Sequence, residues 1–262
     1  MTRRDGILLL ELVKTDFKLR YQGSVLGYMW AIIRPLLMFG ILYLVFSVFL
    51  RFGSDIPHYP VYLLVGTVLW NFFTECTNQG IQSLIQRGDL LRKLSFPKWI
   101  VVVSATSTAL INLSINLIVV VIFALISGCS VSLLWLLVLP LVAELYFLAL
   151  GIAFLLGSIN VRYRDISSIW EVLTQALFYA VPIIYPLSMV TSTSMVAAKV
   201  LMVNPIAQIL QDVREVLITD ASTTSWELLG VAGLVPVALV VVVFMIGLLV
   251  FKHKSRYFAE EL

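Results

Sequence analysis

Residues 99–126 read WIVVVSATSTALINLSINLIVVVIFALI, and no charged side chain interrupts them. A helix needs about 20 apolar residues to cross the roughly 30 Å of hydrocarbon in a bilayer, where every backbone amide must be satisfied within the segment. This stretch is long enough with room to spare. Five others resemble it: Met29 to Leu50, Val61 to Leu84, Leu133 to Ile159, Ser167 to Leu187 and Gly230 to Phe251. The expected fold is all-α and polytopic, with six transmembrane helices.

The charges between these stretches fall on alternate sides. One side collects Arg3, Arg4, Lys14, Lys18, Arg20 and Arg34, then Arg87, Arg92, Lys93 and Lys98, then Arg162 and Arg164, and finally Lys252, Lys254 and Arg256. The other side holds Arg51, Lys199 and Arg214. Lysine and arginine accumulate on the cytoplasmic face, so both termini are expected there, with the chain in the cytoplasmic (inner) membrane. Asp55, Asp212, Glu215, Asp220 and Glu227 fall on the outer face, which agrees.

With 60% hydrophobic and 13% charged residues, the chain has no room for a soluble catalytic domain. The longest segment between spans, 188–229, is too short for one. One membrane domain therefore covers 1–262. It divides into a cytoplasmic interfacial helix (1–28), the first five spans (29–187), an outer region (188–229) and the sixth span with its tail (230–262). The net charge of +3 follows from topology and gives no reason to expect nucleic acid as a partner. Cys76 and Cys129 lie in apolar surroundings and read as small core residues. The N-terminus lacks the layout of a cleaved signal peptide.

Local patterns add detail. In 6–21, Ile7, Leu10, Val13, Phe17 and Tyr21 recur at helical spacing among Glu11, Lys14, Lys18 and Arg20, which predicts an amphipathic helix in the interface with membrane lipids. Aromatic Tyr28 and Trp30 mark the start of the first span, where Pro35 is tolerated and Arg34 snorkels to the surface. Residues 87–98, RGDLLRKLSFPK, form a short charged and leucine-bearing segment closed by a proline. Asp165 is placed to cap the fifth span. Pro182 and Pro186 predict a break within that span. Asn204-Pro205 opens a further helix with Ile206, Ile209, Leu210, Val213, Val216 and Leu217 on one side and Gln208, Gln211, Asp212 and Glu215 on the other. It is too short to span, so it is expected to be re-entrant or to lie on the outer surface.

The run Leu26-Gly-Tyr-Met-Trp-Ala-Ile-Ile-Arg-Pro35 and the preceding Phe17-Lys-Leu-Arg-Tyr-Gln-Gly-Ser-Val-Leu26 resemble the first-span signature of ABC-2 type transporter permeases. The likeness is strongest to those that export O-antigen, capsule or teichoic acid. The resemblance implies a homodimer with a pore at its two-fold axis and two copies of a separate ATPase chain, which binds ATP and Mg. Lipid-linked polysaccharide or oligosaccharide would be the substrate.

Residues 87–98 are then similar to a coupling helix, with Arg87, Asp89, Leu90, Leu91, Arg92 and Lys93 meeting the ATPase. Without the resemblance they are an ordinary positive-inside loop. Arg20, Tyr28, Trp30, Arg34, Arg162, Arg164 and Asp165 would lie at the cytoplasmic mouth. Phe39, Tyr43 and Phe46 of the first span, with Phe178, Tyr179 and Tyr185 of the fifth, are candidates to line a channel, because a sugar's C–H face stacks on an aromatic ring. Rings in spans are otherwise packing groups or interface anchors.

Ionisable groups within spans suggest function. Glu75 sits in a polar half-span with Asn71, Thr74, Thr77, Asn78, Gln79 and Gln82, Glu144 is isolated in the fourth span, and Glu171 lies one turn into the fifth. Bundle-facing hydrogen bonds would account for all three. The chain has no phosphate loop of the G-x-x-x-x-G-K type, and His58 and His253 fall on opposite faces, so neither ATP hydrolysis nor a metal centre is expected of it. A drug or small-lipid exporter permease of the same superfamily is one alternative. A membrane-embedded enzyme acting on lipid-linked glycans is another.

Overall fold

The computed structural model describes residues 3–23, 26–51, 56–218 and 223–258, so Asp55 and Asp220 of the outer acidic set lie outside the described residues. Twelve α-helices and no strand occur among them. They are α1 (Arg3–Tyr21), α2 (Trp30–Leu42), α3 (Tyr59–Gln86), α4 (Gly88–Lys93), α5 (Trp99–Ile126) and α6 (Val138–Asn160). There follow α7 (Asp165–Ala180), α8 (Leu187–Thr193), α9 (Met195–Met202), α10 (Pro205–Ile218), α11 (Ser225–Leu229) and α12 (Leu234–Lys254). A 3-10 turn, Gly27–Met29, leads into α2, and a π-helical stretch, Tyr43–Phe49, extends it.

The centre of the molecule is α3. Its first half is apolar on every side, and Val61, Leu63, Leu64, Phe73 and Cys76 have no exposed surface. It packs against α5 on one side and α6 on the other, while α12 lies along α6. That last crossing is very close. A Cβ on Gly247 would lie 2.1 Å from the Gly151 carbonyl oxygen, so only glycine at both positions lets the backbones meet. Cys76 and Cys129 are buried free thiols, as their apolar surroundings predict.

Four helical stretches, Gly27–Phe49, Trp99–Ile126, Leu133–Asn160 and Ser225–Lys254, are long and apolar enough to cross a membrane. The two other expected spans fall outside that group for visible reasons. Helix α3 has the length, but its second half is the polar run around Glu75. Helix α7 stops after 16 residues, where the backbone turns extended at Val181, one residue before the first of the two expected prolines.

Three local expectations need correction. In α1 the residues that turn inward include Leu8, Leu9, Leu12, Val13, Asp16 and Phe17, while Ile7 and Leu10 are exposed. Packing of α1 along α5 sets this face. Pro35 lies inside α2, not at its start, and frees the carbonyl of Ala31 four residues earlier. Asn116 of α5 takes that carbonyl with its Nδ2 at 3.2 Å. In α10 the polar side is not outward: Gln208, Gln211 and Arg214 are buried with the apolar stripe, because neighbouring helices surround α10. Its start does follow the sequence, with Asn204 Oδ1 accepting from the Ile206 amide at 3.0 Å.

Candidate functional site

Between α2, α3 and α5 lies a cavity of about 670 Å³. The polar half of α3 supplies Asn71, Thr74, Glu75, Asn78 and Gln79; α5 supplies Asn112 and Asn116; α2 supplies Trp30, Arg34 and a greasy wall of Leu37, Met38 and Ile41. Arg20, near the end of α1, completes the lining and forms an ion pair with Glu75. The same Glu75 oxygen accepts from Asn112 Nδ2 at 2.7 Å and Gln79 Nε2 at 3.1 Å. Glu75 therefore meets the expectation of a bundle-facing, hydrogen-bonded carboxylate. A space with two guanidinium groups, several amides and an apolar wall suits an amphiphilic anion.

Of the mouth candidates, the structure brings Arg20, Trp30 and Arg34 to this cavity. Tyr28 is not among its lining residues; its ring is stacked on Phe17 at 5.3 Å. Arg162, Arg164 and Asp165 are elsewhere, at the α6–α7 junction, where Arg162 lies over the Tyr163 ring. Asp165 is not the cap of α7. It is the first helical residue, Arg164 holds the cap position, and neither side chain bonds the free amides. Asn160, at the end of α6, accepts instead from the Ser167 amide at 3.3 Å and donates to the Ile81 carbonyl at 3.2 Å.

The coupling candidates split by burial. Helix α4 exposes Asp89, Arg92 and Lys93, half-covers Leu90, and buries Leu91 among Leu84, Val101, Phe154 and Phe258. Leu91 is thus the anchor of the segment rather than part of its outer face. Arg87 is turned inward as well. It pairs with Asp16 of α1 and donates to Ser104 Oγ of α5 at 3.4 Å, so α1, α4 and α5 meet at one guanidinium. Burial raises the pKa of Asp16 against the opposing pull of Arg87. On the far side of the segment, Lys98 donates to the Ser255 carbonyl and lies over Phe258, which ties the tail to it.

The aromatic candidates also divide. Phe39 is buried between Tyr43 and Phe123, 5.9 Å from each, because its ring turns toward α5; it packs and does not line an open surface. Tyr43 and Phe46 lie in the π-helical stretch and are partly buried. Phe178 sits against Trp70 at 5.9 Å, whereas Tyr179 is 71% exposed. Tyr185 donates from its hydroxyl to the Ala180 carbonyl at 3.0 Å. Glu171 is exposed on α7, contrary to the expected bundle-facing position, since Thr174 is the one buried residue of that helix.

Sequence reasoning counted Arg214 only as an outer-face charge, yet its side chain is wholly buried. Nε donates to the Tyr62 carbonyl at 3.1 Å, Nη1 to that of Pro182 at 2.6 Å, and Nη2 to that of Ile183 at 2.7 Å. Its guanidinium lies 3.5 Å from the centre of the Tyr62 ring. Gly66 makes room, since a Cβ there would stand 2.4 Å from Nη2. The Tyr59 hydroxyl takes the next carbonyl, Ile184, at 2.9 Å. The carbonyls exposed by the break after α7 are thereby satisfied one after another, as burial requires. A signal did exist: Leu210, Val213, Arg214 and Leu217 fall at i, i+3, i+4 and i+7, which puts the arginine on the apolar stripe.

Polar groups of α6 and α10 are buried in the same region. Gln208 of α10 donates to Asp212 at 2.7 Å, and one Glu144 oxygen is buried without a hydrogen-bond partner. Burial pushes the Asp212 carboxyl up, while hydrogen bonds from Gln208 and Ser225 pull it down.

Residues 8–218 match the ABC-2 type transporter family, a range that takes in the cavity, the α4 segment and the buried Arg214. Over 97% of this chain and 95% of theirs, the sequence is 27% identical to the O-antigen export system permease protein RfbA of Klebsiella pneumoniae and 29% identical to that of Myxococcus xanthus. With apolar helices of spanning length arranged around a polar cavity, and a family match over most of its length, the chain belongs to the ABC-2 type transporters and is a membrane permease.

Proposed function

We propose that this chain is the membrane subunit of an ATP-driven exporter that moves lipid-linked polysaccharide or oligosaccharide outward across the cytoplasmic membrane. The observation that carries this reading is the cavity between α2, α3 and α5. It combines two arginines with Trp30, amides and an apolar wall. A phosphate-bearing lipid carrier needs cations for its headgroup and an apolar surface for its chain. The permeases of Klebsiella pneumoniae and Myxococcus xanthus named for O-antigen export support the same substrate class.

In this reading the chain crosses the membrane six times with both termini in the cytoplasm. Helix α3 is one span, its polar half facing the cavity, and α7 with the extended residues after it is another. Helices α8 to α11 form the outer region, with α10 re-entrant. Two copies form the channel, with α7 near the two-fold axis, and Tyr43, Phe46, Phe178, Tyr179 and Tyr185 offer rings toward it. Two copies of a separate ATPase, holding ATP and Mg, dock on α4. This chain performs no bond chemistry of its own.

Affinity purification of the tagged chain from its native membrane, followed by an ATPase assay, tests the assignment. A nucleotide-binding chain in one-to-one ratio is expected. Recovery of the permease alone, with no ATP hydrolysis, would remove the exporter reading. Reversing the two exposed basic residues, Arg92→Glu with Lys93→Glu, is expected to weaken transport or ATPase coupling by at least about tenfold while leaving membrane insertion intact, because coupling depends on charge complementarity. Unchanged transport in that double variant would move the docking surface off α4.

A further inference from the structure

Helix α7 meets two different surroundings on its open side. At about 100° per residue, its side chains fall into three arcs. Trp170, Thr174, Leu177 and Phe178 turn toward the neighbouring helices, with Trp170 Nε1 donating to Thr77 Oγ1 of α3 at 2.9 Å. Ile169, Val172, Leu173 and Ala176 form an exposed apolar arc. Between the two run Arg164, Ser168, Glu171, Gln175 and Tyr179, all exposed and within about 80° of one another. Hydrocarbon suits the apolar arc and not the polar one. Glu171 and Gln175 lie about 9 Å and about 15 Å along the axis from Asp165, and neither has the length of a lysine or arginine to reach back to the headgroups.

Resting on the reading that two copies form a channel beside α7, we infer that Glu171 puts a negative charge on the wetted wall of that channel and turns away polyanionic glycans. The exported chain is a neutral or amine-bearing polysaccharide, not one with a uronate or phosphate in every repeat.

The charge is not cancelled. Glu171 takes part in no ion pair among the described residues. Helix α2 and the π-helical stretch, which offer the other rings, carry no charged residue from Pro35 to Leu50. A two-fold axis sets each residue near it against its own copy, and two carboxylates brought together cannot both stay ionised without water, so this contact remains open and wet. Ser168, Gln175 and Tyr179 exchange hydrogen bonds with hydroxyl groups, which suits an uncharged sugar chain. No residue of α7 lines the cavity that holds Arg20 and Arg34. The carrier's phosphates pass Glu171 at most once, whereas a polyanion would meet it at every repeat.

Two measurements test the filter. The purified transporter complex, with Cys76 and Cys129 replaced by alanine and Gln175→Cys introduced, would be held in nanodiscs, supplied with ATP and labelled with a cationic trimethylammonium-ethyl or an anionic sulfonato-ethyl thiosulfonate, each rate normalised to that of a free thiol in solution. The cationic reagent is expected to react about tenfold faster, Glu171→Gln to bring the ratio to about one, and Glu171→Lys to invert it. Ala176→Cys, one residue further but on the apolar arc, should resist both reagents. No labelling at 175, equal labelling at 175 and 176, or a preference that survives Glu171→Gln overturns the inference. In cells, the glycan that leaves the surface when the gene is deleted, once released from its carrier, is expected to pass unretained through an anion-exchange column. A polyanionic glycan would overturn the filter and keep the exporter; loss of no glycan would remove the exporter reading itself.

Discussion

Asp16 and Arg87 show how much a single contact organises on the cytoplasmic side of the proposed topology. They join α1 to the residue that opens α4, 71 residues away in sequence. One Asp16 oxygen is buried without a hydrogen-bond partner, and desolvation outweighs Arg87 in raising its pKa. A carboxyl whose folded pKa is raised takes up its proton while the unfolded chain is still ionised. Its contribution to stability therefore grows as pH falls through the folded pKa and is lost above it. Asp16→Asn imitates the protonated form at every pH. The melting temperature of wild type should accordingly rise relative to Asp16→Asn as pH is lowered from 7 toward the range just above a free aspartate's. A constant difference across that range would show that Asp16 titrates as an ordinary surface group.

At the scale of elements, the break after α7 depends on α10. Prolines explain why the helix cannot continue, but they do not supply partners for the carbonyls of Pro182 and Ile183; Arg214 does. Replacing Arg214 by alanine leaves those groups buried and unpaired, and is expected to cost about 3–5 kcal/mol, the scale for breaking a buried charged contact. Arg214→Lys should recover part of this, because an ammonium reaches one or two carbonyls but lacks the planar fork. Thermal unfolding of the detergent-purified protein reads the effect, and an unchanged midpoint in Arg214→Ala would mean that water replaces the guanidinium freely. Gly66→Ala should destabilise through the same contact, since its Cβ would collide with Nη2.

For the whole molecule, the six-span topology has a direct test. Single cysteines at Ser95 and Ser192, in a background with Cys76 and Cys129 replaced by serine or alanine, are probed with a membrane-impermeant maleimide on spheroplasts. Ser95 follows α4 and Ser192 lies in α8, so the proposed orientation requires labelling at position 192 and protection at 95 until the membrane is opened. The reverse pattern would invert the protein in the bilayer. Labelling of both would place the α4 segment and the outer region on one side and require one of α5, α6 and α7, the helices between the two positions, to be something other than a span.

Much of this architecture was legible in the chain because hydrocarbon is a severe solvent. A stretch such as Trp99–Ile126 has few fates besides a buried or membrane helix, and Asn204-Pro205 and the prolines near 182 act through the backbone, where local rules suffice. The family resemblance was legible from residues 26–35 for the same reason: a motif is contiguous. Tertiary structure alone decided which polar groups meet. That Asn116 covers the carbonyl freed by Pro35, that Arg20 rests on Glu75, and that Arg214 serves a break on another helix are pairings across tens of residues. Sequence shows each polar group as a donor or acceptor needing a partner, but only helix packing chooses the partner, because burial makes satisfaction obligatory without specifying who provides it.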